Sequence, residues 1–142
     1  MWALLLLLAV EAILAILSIV VALYSYLALD DMSSDRLNPL DTCKSLNRVA
    51  PLGFGMQVAS TLLFVCHPYL LLWNVPMLLL CLREYANRGC LSGWALFDPT
   101  RILRKDHLYR INCIFGLKIA YYTLTVAVYV VYAVVHILQS YA

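Results

Sequence analysis

The sequence predicts an all-α fold: a polytopic integral membrane protein, a bundle of four transmembrane helices with a short central helical hairpin. Three observations lead there. First, 64% of the 142 residues are hydrophobic and only 13% are charged, against about 45–50% and about 25% in a soluble domain. Eight acidic and ten basic residues are too few to cover the surface of a soluble fold of this size, so that surface must face lipid. Second, the apolar residues fall into long runs separated by two polar stretches. Third, the central run, Leu52 to Leu82, is interrupted by Pro68 and Pro76.

The first run, Trp2 to Leu29, carries one charge, Glu11. It exceeds the 7–15 residues of a signal-peptide core and lacks the basic flank of a cleavable signal, so it reads as a retained span. It is long enough to cross a ~30 Å hydrocarbon core with some tilt. Glu11, Ala15, Ser18, Ala22 and Ser25 recur at helical spacing and form one seam, and small residues so placed let helix backbones approach closely. An ionisable group in lipid usually faces protein or water. Glu11 therefore reads either as buried in the bundle or as reaching the headgroups from a shallow helix start.

The polar stretch 30–51 reads as a loop, with a turn at Asn38-Pro39 and a short helix capped by Ser33 or Asp35. As one straight helix, 52–82 would measure about 46 Å, well beyond the bilayer core. A turn near His67-Pro68-Tyr69 divides it into two antiparallel arms, because proline removes a backbone donor and breaks or kinks a helix. Pro76 then kinks the second arm, and Asn74 beside it can satisfy the freed backbone groups. The spans are 2–29, 52–67, 69–86 and 113–138, joined by loops 30–51 and 87–112. In the last span Lys118 sits near one end, where it can snorkel.

The stretch 83–112 holds Arg83, Arg88, Arg101, Arg104, Lys105 and Arg110 against Glu84, Asp98 and Asp106. The positive-inside rule places it in the cytosol. Four spans then put both loops in the cytosol and both termini outside. The alternative, three spans, moves the 30–51 loop to the luminal side and leaves an overlong middle helix.

The chain resembles the cornichon family over nearly its whole length, as a single membrane domain covering 1–142. In the first loop, Asp35-Arg36-Leu37-Asn38-Pro39 with Cys43, Leu46 and Asn47 is similar to the family's acidic loop, with Arg36 in place of an aromatic residue. Pro51-Leu52 stands where the family's next helix opens. Asn74-Val75-Pro76, followed by Tyr85, looks like the family's third-helix turn. Phe97-Asp98-Pro99-Thr100-Arg101-Ile102 resembles its cytosolic element, and Lys118-Ile119-Ala120-Tyr121-Tyr122 its last-helix opening.

The resemblance implies a cargo receptor of the early secretory pathway. Such a protein gathers transmembrane cargo in the endoplasmic reticulum and passes it to COPII-coated vesicles bound for the Golgi. Its alternative implication is an auxiliary subunit that modulates the gating and trafficking of an ion channel such as an AMPA-type glutamate receptor. The coat signal of fungal members corresponds to Ile102, Leu103 and Arg104, with Leu103 replacing a phenylalanine. The family also has four membrane helices and luminal termini.

Two faces are candidates for such work. In the last span Lys118, Tyr121, Tyr122, Thr125, Tyr129, Tyr132 and His136 fall along one side. A lipid-facing helix has no reason to align hydroxyls, and each hydroxyl bond across a membrane helix interface contributes about 0.6 kcal/mol. The stripe therefore reads as a contact for a cargo helix, through Tyr121, Tyr122, Thr125, Tyr129 and Tyr132, or as packing inside the chain's own bundle. At 97–104, Phe97, Asp98, Pro99 and Thr100 read as a turn with a cap at Asp98 or Thr100. It opens a short amphipathic helix whose Ile102, Leu103 and Arg104 contact the coat or another partner, or which lies on anionic headgroups.

Nothing in the sequence points to catalysis. The cysteines (Cys43, Cys66, Cys81, Cys90 and Cys113) have no C-x-x-C spacing and are odd in number, which suits reduced thiols better than a disulfide or zinc framework. Cys90 and Cys113 lie near span boundaries, where reversible palmitoylation occurs. His67, His107 and His136 are dispersed and lack the further ligands of a metal site. No cofactor is expected. A net charge of +2 gives no clustered basic footprint for nucleic acid.

Overall fold

The computed structural model describes residues 2–87 and 102–142. They form four α-helices, and no strand occurs among them: α1 (Trp2–Ser33), α2 (Pro39–Leu63), α3 (Pro68–Asn87) and α4 (Lys105–Tyr141). α1 and α4 are long and apolar enough to cross a membrane. Much of their apolar surface points outward, including Ile13, Val20, Leu124 and Val131.

The helices exceed the expected spans at both polar stretches. The segment 30–51 is mostly helical, not a loop: α1 runs on to Ser33, and α2 has already begun at Pro39. The connection is two stop-and-start devices in sequence. Asp35 takes a left-handed backbone (φ 58°). Its N–H bonds to Met32 O, and the N–H of Arg36 bonds to Asp31 O at 2.9 Å. This is a Schellman closure with Asp35 where glycine usually stands. Asn38, not Ser33 or Asp35, is the cap that starts α2. Its side chain accepts from the Leu40 N–H at 3.0 Å, and Pro39 occupies the first turn, where a missing N–H costs nothing. Asp35→Gly should therefore leave stability unchanged or slightly raised. Asp35→Val should lower it by about 1–2 kcal/mol, because a β-branched residue is disfavoured at positive φ. Thermal unfolding in detergent reads both.

Pro51 lies inside α2 rather than at its start. α2 ends at Leu63, the chain turns through 64–67, and Pro68 is the first residue of α3. The hairpin at Pro68 is thus present, but the proline opens the second arm instead of breaking a continuous helix. α4 starts at Lys105, eight residues before the expected 113, and its cap position Arg104 makes no side-chain capping bond.

α1 lies centrally, closely packed on α4 and on α2, while α2 packs on α3. The α1 seam is buried: Glu11, Ala15, Ser18, Ala22 and Ser25 all face inward. Ser18 and Ser25 donate to the carbonyls of Leu14 and Val21, both at 2.9 Å. The Ser25 hydroxyl is spent on its own helix, while that of Ser18 also meets the Tyr122 phenol of α4, and both residues act as small surfaces. At Gly53 of α2, a Cβ would sit 3.4 Å from Val21 Cγ1, which shows how near the two helices come.

Three apolar clusters stack along the bundle. Leu8, Phe64, Leu70 and Tyr129 fill the end nearest the α2–α3 turn. Met77, Cys81 and Tyr122 hold the middle. At the other end Leu29, Met32, Cys43, Leu46, Ile102, Ile111 and Phe115 enclose a third core. That last core explains the helical 39–51 segment: Cys43 and Leu46 recur three apart and bury against the end of α1.

Candidate functional site

Between the first and second apolar clusters lies a polar seam to which every helix contributes. α2 supplies Gln57, Ser60 and Thr61, at i, i+3 and i+4, so all three face one way. α3 supplies Asn74, and α4 supplies Tyr122, Thr125 and Tyr129. α1 supplies Glu11, only 1% exposed. These side chains are mutually hydrogen-bonded, as buried polar groups must be.

Asn74 is the node. Its Nδ2 donates to Leu70 O at 3.1 Å and to the Tyr129 hydroxyl at 3.2 Å. Its Oδ1 faces Ser60 Oγ at 3.3 Å, and Ser60 also bonds Glu11 Oε2. Tyr122 donates to Gln57 Oε1 at 2.9 Å. The ring of Tyr129 meets that of Phe64 edge-on, with centroids 5.4 Å apart.

Further bonds gather in α3 just before its internal proline. Pro76 has no N–H for the Leu72 carbonyl one turn back. In that turn, Trp73 O accepts from the Tyr121 hydroxyl at 2.7 Å, and Asn74 O faces Gln57 Nε2 at 3.4 Å. Trp73 Nε1 donates to Thr125 Oγ1 at 3.0 Å, and its ring stacks on Tyr121 with centroids 5.8 Å apart. Asn74 thus serves its own helix at Leu70 O, two residues before the Leu72 carbonyl that Pro76 leaves without an N–H, and spends its other atoms on neighbouring helices.

Lys118 does not snorkel freely. Its Nζ lies 2.6 Å from Glu84 Oε2, with the side chains 16% and 10% exposed, so the charge is neutralised within the protein.

The sequence-derived candidates are distributed as follows. Tyr122, Thr125 and Tyr129 are buried and Tyr121 is engaged with Trp73, so this part of the stripe is turned to the chain's own helices. Tyr132 is half-buried against the Leu8–Phe64–Tyr129 cluster. Of the element expected to face the cytosol, Phe97, Asp98, Pro99 and Thr100 lie outside the described residues. Ile102 is 1% exposed within the third core, whereas Leu103 is 62% exposed and Arg104 is exposed beside it. The three are therefore not one surface. Of the loop motif, Asp35 and Asn38-Pro39 shape the α1–α2 connection and Cys43 is buried in the third core. Asn47 lies on α2, one residue past the buried Leu46.

Gln57, Ser60, Trp73 and Glu84 were not among the sequence-derived site residues. Gln57 and Ser60 carried a signal, since polar side chains at helical spacing inside an apolar run usually face protein. Trp73 and Glu84 carried none, because their partners lie 52 and 34 residues away.

The seam joins all four helices through residues that the motif comparison also touches, notably Asn74 and the tyrosines of α4. The family model described as Cornichon protein matches residues 2–132. Protein cornichon of Drosophila melanogaster is 33% identical over 121 residues, covering 84% of this chain and 83% of the relative. Protein cornichon of Drosophila virilis is similar to the same extent. Protein cornichon homolog 1 of Caenorhabditis elegans is 30% identical over 121 residues, with the same coverage. With a family match across nearly the whole described chain and relatives of matching length, the chain belongs to the cornichon family.

Proposed function

We propose that this chain is a transmembrane cargo receptor that selects membrane-protein cargo in the endoplasmic reticulum for export in COPII vesicles. It would reside in that membrane, in vesicles derived from it and in the Golgi. The family match over residues 2–132 carries the reading. The outward apolar faces of α1 and α4 support a membrane setting, with four spans, the third core in the cytosol and the α2–α3 turn in the lumen.

The division of labour follows from exposure. The buried hydroxyls of α4 fix the bundle and give it one shape. Cargo helices dock beside them, on the apolar groove of α4 lined by Leu124, Ala127, Val128, Val131, Tyr132 and Val135. Tyr132 offers the one hydroxyl on that face. The coat reads the opposite end, through Leu103 and Arg104.

The test uses point substitutions, because deleting 97–104 would remove Ile102 from the third core. Leu103→Ser with Arg104→Ala should reduce packaging of cargo into COPII vesicles several-fold while membrane integration and thermal stability stay as in the wild type. Packaging at wild-type levels would remove these two residues from the coat contact.

A further inference from the structure

The seam contains one group that the bundle's packing does not account for. Glu11 is 1% exposed, and its Oε1 has no hydrogen-bond partner among the described residues. No cation faces it. The elements packed around it present Ser60 from α2, Asn74 from α3 and the phenol of Tyr129 from α4. Tyr129 is the one titratable group among these. The Lys118–Glu84 pair is internally neutral, and Lys118 lies three turns, about 16 Å, along α4 from Tyr129. A bare carboxylate here would be an uncompensated buried charge, which is strongly unfavourable.

Proton counting points the same way. Ser60 Oγ faces two acceptors, Glu11 Oε2 and Asn74 Oδ1, the latter at 3.3 Å. A hydroxyl has a single proton and can serve one of them. The orientation of Asn74 is fixed, because its Nδ2 donates to Leu70 O and to Tyr129, which leaves Oδ1 towards Ser60 Oγ at 3.3 Å and, at the longer distance of 3.5 Å, Gln57 Nε2. If Ser60 donates to Asn74, the bond to Glu11 must be supplied from the Glu11 side.

We propose that Glu11 is a proton-binding site. Its carboxyl carries a proton on Oε2, donates it to Ser60 Oγ, and Ser60 donates in turn to Asn74 Oδ1. Asn74 continues the chain to Tyr129. The bound proton thus completes a directional path from α1 through α2 and α3 to α4. When it is lost to water, the Ser60 hydroxyl has two competing acceptors, and α1 holds a charge against its neighbours. The occupancy of one site then sets how firmly α1 is docked.

Two measurements on the full chain in detergent test this. Infrared difference spectra of the wild type at neutral pH should show the C=O stretch of a protonated carboxyl. Exchange into D2O should shift that band slowly, as for a buried group, and Glu11→Gln should remove it. Thermal unfolding should show stability falling as pH rises, because the folded state binds one more proton than the unfolded state. Glu11→Gln retains a donor towards Ser60 and should lose that dependence. If Glu11→Gln does not fold, the wild-type band and its slow exchange decide alone. A wild type without the band overturns the proposal. If its stability then differs between sodium and potassium, an alkali ion occupies the site; if not, the carboxylate is bare. A pH dependence unchanged in Glu11→Gln also overturns it.

Discussion

Lys118→Met lowers the unfolding free energy of the detergent-solubilised protein by about 3 kcal/mol, at the lower edge of what breaking a buried ion pair costs. The reason is the partner left behind. Glu84 is 9% exposed and receives Lys118 Nζ at 2.6 Å. No second cation partner is seen for it among the described residues. The loss also removes one of several side-chain links between α3 and α4, alongside Trp73 with Tyr121 and Thr125 and Asn74 with Tyr129. α3 and α4 meet through long side chains rather than close backbone approach, and this pair ties their ends nearest the third core. The double variant Lys118→Met with Glu84→Leu should recover most of the loss, since apolar residues of similar volume often replace a buried pair at little cost. A single variant as stable as the wild type would show the pair to be energetically idle.

Asn74→Leu costs about 2 kcal/mol. Individual hydrogen bonds between membrane helices contribute about 0.6 kcal/mol each, but Asn74 is a node. Its loss unpairs groups on α2 and α4 and leaves buried polar atoms with nothing to replace them, which is the expensive outcome. Leu72→Ala, at an exposed position of the same helix, should change stability by less than about 0.5 kcal/mol. Equal effects from the two variants would mean that the seam contributes no more than generic packing.

How much of this was legible in the sequence varies with the range of the interaction. The α1 seam was readable because Glu11, Ala15, Ser18, Ala22 and Ser25 repeat at the helical period, and one helix decides which residues share a face. The hairpin was readable because Pro68 falls midway in an overlong apolar run. The extent of the helices was not. The segment 39–51 is polar enough to pass for a loop, and it is helical because Cys43 and Leu46 bury against the end of α1 and against Ile111 and Phe115, a contact no local pattern announces. Lys118 looked like a free snorkelling cation for the same reason, since Glu84 lies 34 residues earlier.

The stripe on α4 is the clearest division. Periodicity is a property of one helix, so residue order was enough to put Tyr121, Tyr122, Thr125, Tyr129 and Tyr132 along one side of α4. Residue order also carried the family motifs. The packing of the other helices sets what that side meets. It turned Tyr122, Thr125 and Tyr129 inward onto Gln57, Trp73 and Asn74, and it separated Ile102 from Leu103 and Arg104. Burial is a relation between elements, set by where α1, α2 and α3 come to lie. A chain's own spacing fixes which residues travel together but not which neighbour they reach.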